Sequence, residues 1–73
     1  MDDEYVKELY SIVEQYGDEE TIANSVSKMK LWNLFCSMYG DGFNYQRTTK
    51  LDMAQHIMRM YRFIERAKAL NSM

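Results

Sequence analysis

Apolar residues open the chain at Tyr5, Val6, Leu9, Ile12, Val13 and Tyr16, recurring every third or fourth position with polar residues between them. That spacing puts one greasy stripe along one side of a helix, and it predicts a helix over about 3–16. Three acids at its start suit the positive end of the helix dipole, and Gly17 stops it. Asp18 is then placed to cap a second helix, about 18–27, with Glu19 and Glu20 in its first turn and Ile22, Ala23 and Val26 as its apolar positions. The run SVSKMK is rich in poor helix formers, and the apolar period resets after it at Leu31, Trp32, Leu34, Phe35, Met38 and Tyr39. A break between Ser27 and Lys30 and a third helix over about 30–39 follow, ended by Gly40.

From 40 to 48 the helical period disappears. Gly40, Gly42 and Asn44 permit unusual backbone angles, and Phe43 and Tyr45 alternate as they would in an extended loop pinned to a core by its rings. Thr49, with Asp52 three residues on, is placed to cap a long last helix over about 49–69. With no proline in the chain, nothing interrupts that helix. Leu51, Ala54, Ile57, Met58, Tyr61 and Ile64 form its expected buried stripe. Met53, Met60 and Phe63 fall outside the stripe, a surplus that suits burial against a second copy in a homodimer. The expected fold is therefore all-α, a single domain over 1–73 of three or four helices containing a helix–extended loop–helix unit.

Composition narrows the function classes. Seventy-three residues with 14% aromatics and seven methionines can fold by packing alone, as one modest core. The lone cysteine, Cys36, forms no internal disulfide, and no Cys/His set has zinc-ligand spacing, so a reducing compartment and no metal are expected. No apolar run is long enough for a membrane span, and the acidic start does not resemble a signal peptide, which points to a cytoplasmic protein without membrane contact. No nucleophile elbow, phosphate-binding glycine loop or ligand set appears, and His56 has only Asp52 one turn away, so neither an enzyme nor a cofactor is expected.

Charge is distributed unevenly. Residues 1–20 hold eight acids against one lysine, and residues 21–73 hold three acids against eight bases, within a net charge of −2. The bases gather at two places. Lys28 and Lys30 precede one helix, while Arg47, Thr48, Thr49 and Lys50 surround the entry of the next, where hydroxyls and free N–H groups at a helix start suit phosphate. Arg59, Arg62 and Arg66 recur at helical spacing further on; they could track a backbone, or pair with the acidic first helix. Tyr45 could stack on a base or serve as a core pin. Tyr10, off the main stripe, and Tyr39, at a helix end, are candidates for an exposed patch that binds a partner.

The run KMKLWNLFCSMYGDGFNYQRTTKLDMAQHI resembles the helix–extended loop–helix module of SAP domains and of the N-terminal domain of Rho transcription termination factors. Met29 and Lys30 match the entry, Leu34 the central leucine, Gly40 the terminating glycine, and Thr49, Lys50, Asp52 and Ile57 the opening of the second helix. Met53 stands where those families place leucine. The resemblance implies nucleic-acid binding, with DNA favoured over RNA.

Two readings emerge. In the first, the chain is a small nucleic-acid-binding module that grips phosphate with Lys28, Lys30, Tyr45, Arg47, Thr48, Thr49, Lys50 and Arg59. In the second, it is a phage- or mobile-element-type inhibitor or regulator that contacts a protein through Asp2, Asp3, Glu4, Glu8 and Tyr10, its acids mimicking nucleic-acid phosphates.

Overall fold

Four helices follow one another in the computed structural model: α1 (Glu4–Tyr16), α2 (Glu19–Ser25), α3 (Lys28–Tyr39) and α4 (Lys50–Asn71). Residues 4–40 and 42–71 are described, with the side chain of Glu4 excluded. Among them there is no strand.

Each joint has a local chemical cause. Gly17 takes a positive φ of 87° and its N–H closes on the Val13 carbonyl at 2.8 Å, turning the chain out of α1. The Asp18 carboxylate accepts the Thr21 N–H at 2.8 Å and starts α2. That bond holds the Asp18 carboxyl below its ordinary pKa, because protonation would weaken the acceptor. The break after α2 is a single extended pair, Val26 and Ser27. Val26 closes α2, and the Ser27 hydroxyl accepts the Lys30 N–H at 3.2 Å to open α3 two residues before the expected start. Gly40 ends α3 with φ 94° and ψ 178°, a region essentially reserved for glycine.

The segment after Gly40 is less extended than the alternation of Phe43 and Tyr45 suggests. Its centre is a turn organised by Asn44, whose side-chain oxygen accepts the N–H groups of Gln46 at 2.9 Å and Arg47 at 3.2 Å. The Asn44 carbonyl accepts from the Thr48 N–H at 3.0 Å and the Thr48 hydroxyl at 2.8 Å. The rings still pin the segment down. Phe43 lies 4.8 Å from Phe35, and Tyr45 meets Trp32 edge-on at 5.2 Å, so the chain returns along α3 toward its start before α4 begins.

All four helices supply the core: Leu9, Ile12 and Val13 from α1, Ile22 and Val26 at α2, Leu31, Leu34 and Phe35 from α3, and Met53, Ala54, Ile57 and Met58 from α4. None of the described polar side chains is buried with them. Trp32, expected in the core, is only half-buried at its edge. The stripe on α4 packs as expected at Ala54, Ile57, Met58, Tyr61 and Ile64 and differs in its first turn. Leu51 is 42% exposed, whereas Met53 is fully buried and therefore unavailable for a dimer contact. The buried stretch of α4 ends at Met58, beyond which Met60, Tyr61 and Ile64 touch the core by one edge. At 22 residues α4 is about 33 Å long in a molecule 42 Å in its longest dimension, and its later turns still meet α1 through Glu65 and Lys68.

Candidate functional site

The residues at the start of α4 are committed to local structure. The Thr49 hydroxyl accepts the Asp52 N–H at 3.0 Å as the cap of α4, and the Thr48 hydroxyl donates to Asn44. Asp52 adds a negative charge to the same first turn. The Lys28 ammonium stands 4.5 Å over the Tyr45 ring, and Trp32 meets Tyr45 edge-on, so one face of that ring is covered by a cation and the residue acts as a pin for the turn. Lys30 and Arg47 remain exposed beside this cluster, and Lys50 is half-buried.

Arg59 does not belong with them. Nine residues separate Lys50 from Arg59, about two and a half turns, which sets the two on opposite sides of α4. The expected single set therefore divides into two surfaces. One holds Lys28, Lys30, Tyr45, Arg47, Thr48, Thr49 and Lys50 at the turn; the other is the outer face of α4.

That outer face carries Arg59, Arg62 and Arg66, all exposed, and with Phe63 they line one shallow groove. Among the described residues none of the three arginines is paired with an acid, and the ion pair of α4, Lys68–Glu65 at 4.0 Å, lies on its other side. The alternative, pairing between this stripe and the acidic first helix, is not made among the described residues, for a geometric reason. It is Tyr61, Glu65 and Lys68 that meet α1, from the other side of α4. A second groove, about 310 Å³ and more apolar, runs beside the first between Tyr39, Arg59, Met60 and Phe63. Burial pushes the Tyr39 hydroxyl pKa up while the positive charge of Arg59 pulls it down. His56 packs its ring 5.5 Å from both Phe35 and Tyr39, which makes it part of the aromatic wall behind this groove.

Sequence periodicity marks the arginines but gives no weight to Phe63 and Tyr39 as their neighbours. The available signal was angular. Phe63 lies about 40° around the helix from Arg59, at the edge of the arginine stripe rather than on the core side.

The acidic candidates fare differently. Asp2 and Asp3 lie outside the described residues, as does the side chain of Glu4. Glu8 is exposed on α1 and lines a cleft with Tyr5, Asn33, Leu34 and Ser37. Tyr10, a candidate for an exposed patch, is engaged: its hydroxyl donates to Glu65, its ring lies 5.1 Å from Tyr61, and the Lys68 ammonium sits 4.5 Å over it. The hydrogen bond to Glu65, followed by burial, raises the Tyr10 pKa.

Among the described residues no group of three or more His, Cys, Asp or Glu side chains could hold a metal ion, and no helix is long and apolar enough to cross a membrane. No family model, curated protein or solved structure matches this chain.

Proposed function

We propose that this chain is a small, non-enzymatic binding module that holds nucleic-acid phosphate on the outer face of α4. The observation that carries the reading is the unpaired row Arg59, Arg62 and Arg66, which covers about 10 Å of helix on the side away from the acidic α1. Arginine suits the task because its planar fork meets phosphate oxygens in pairs and stays charged at every working pH. Segregation of charge is what allows a chain of net charge −2 to bind a polyanion.

The cations at the turn, Lys30, Arg47 and Lys50, form a secondary surface on which the Thr48 hydroxyl already donates to Asn44. Contact through phosphate positions a protein without reading sequence, and the module is accordingly a low-specificity binder. The reading in which Tyr10 greets a protein partner has less support, since Tyr10 is held by Glu65 and Lys68.

Anisotropy titration of labelled DNA and RNA at about 50 and 200 mM salt tests the proposal. Three phosphates neutralised by three arginines give a roughly 20- to 40-fold loss of affinity over that range. The variant with Arg59, Arg62 and Arg66 all changed to Gln should abolish the salt-dependent component, and Lys50→Gln should weaken binding far less. Equal losses from the two variants would move the site to the turn, and no binding at 50 mM salt would end the proposal.

A further inference from the structure

We infer that the outer face of α4 selects single-stranded over duplex nucleic acid, with the arginines on the backbone and Phe63 stacked on an unpaired base in the groove beside Tyr39. The inference rests on the phosphate-binding reading above and adds the class of strand.

Phe63 is 69% exposed, the most exposed of the large apolar side chains described. An isolated exposed phenylalanine needs no explanation, but this one lines both grooves: the cationic one with Arg59, Arg62 and Arg66, and the apolar one with Tyr39, Arg59 and Met60. A cationic track alongside exposed aromatic rings is the arrangement by which single strands are held, because every base offers a π-face once it is unstacked. A duplex offers that ring nothing. Its base faces are covered by neighbours, so Phe63, at the edge of the arginine stripe, finds no π-face to stack on. Tyr39, 41% exposed at the end of α3, lines the groove from the neighbouring helix, so the surface is a shallow trough and suits a flexible strand. Arg59 to Arg66 spans about 10 Å, the length of roughly three nucleotides of one strand.

The test uses the full chain and four labelled probes: a single-stranded oligonucleotide, the same backbone without bases, a duplex of equal length, and a polyglutamate peptide. Single strand should bind about tenfold more tightly than duplex or the base-free backbone, in the range that one stacked base contributes. Phe63→Ala should lower single-strand affinity to that of the base-free backbone and leave duplex binding unchanged, while Phe63→Tyr should retain the preference. Since Phe63 is exposed, thermal melting should confirm that both variants fold as the parent does. Duplex bound as tightly as single strand, or an equal effect of Phe63→Ala on every probe, overturns the inference. If all oligonucleotides bind with the salt dependence given above and Phe63→Ala changes nothing, stacking fails while phosphate binding stands. Failure of every oligonucleotide at 50 mM salt removes both. Polyglutamate bound as tightly as the oligonucleotides also overturns the inference and assigns the face to an acidic protein.

Discussion

Replacing Met53 by alanine separates two ways of laying α4 against the core. In one, the sequence period puts Leu51 inside and Met53 outside; in the structure Met53 has no accessible surface and Leu51 is 42% exposed. A fully buried methionine cut to alanine loses the transfer free energy of its side chain and leaves a cavity, together about 2–5 kcal/mol. Total stability for a domain of 73 residues is on the order of 4–11 kcal/mol, so the variant retains only a fraction of it. At about 4–8 °C per kcal/mol, a loss of about 3 kcal/mol lowers Tm by roughly 12–24 °C. Leu51→Ala removes a side chain already partly in water from the first turn of a helix, where alanine is the better former; its cost is about 1 kcal/mol or less. Parallel urea and thermal melts followed by circular dichroism give both numbers. Equal costs, or a larger cost for Leu51→Ala, would mean that α4 is rotated toward the face that simple periodicity suggests, and the placement of Arg59 and Phe63 on one outer face would fall with it.

Three further outcomes follow from the joints and from the α1–α4 contact. Gly40→Ala should cost about 1–3 kcal/mol in a urea melt; a Cβ there meets nothing within 4 Å, so the penalty is backbone strain alone, and a neutral result would mean that φ 94° is not required. Asp18 has a folded pKa below its unfolded value of 3.8, so its contribution to stability is complete above that pH and is lost as pH falls through the lowered folded value; Asp18→Asn should flatten that acid limb of a stability-against-pH curve. Tyr10, with its pKa raised above 10.0, contributes stability that is present below pH 10 and lost as the pH rises through the folded value, and Glu65→Gln should bring the ultraviolet titration of that tyrosine down; an unchanged titration would mean that the Glu65 contact is not made in solution.

Most of the helix boundaries were written in local chemistry, and the packing was not. Gly17, Asp18, Ser27, Gly40 and Thr49 act through hydrogen bonds or backbone angles within four residues of themselves, so their roles survive whatever the rest of the chain does. Which residue of the first turn of α4 is buried depends on three other helices meeting it at once. Leu51 and Met53 are equally plausible core residues by type, and the core that all four helices share takes Met53. The candidate site shows the same division. Arg59, Arg62 and Arg66 announce a cationic face by spacing, yet whether α1 neutralises it depends on which side of α4 receives Tyr10. The hydroxyls of Thr48 and Thr49 look alike in a linear reading, but Thr48 donates its hydrogen to the Asn44 carbonyl whereas Thr49 accepts the Asp52 N–H as a helix cap.

The charge distribution decides how such a molecule meets a polyanion. At about 10 mM salt the screening length is roughly 30 Å, comparable to the long dimension of the protein, and the acids of the first 20 residues repel a phosphate backbone along with everything else the net charge of −2 repels. Near 0.15 M the length falls to about 8 Å, and a phosphate at the outer face of α4 is then governed by the arginines it touches rather than by the far side of the molecule. Direct arginine–phosphate contacts weaken with salt by counterion release, but the long-range repulsion weakens as well. In the proposed mode of binding the acidic residues would disfavour approach in orientations other than the one that presents α4. A net charge of −2 is not an argument against phosphate binding in this chain; it is the reason that one face and one orientation would have to do it.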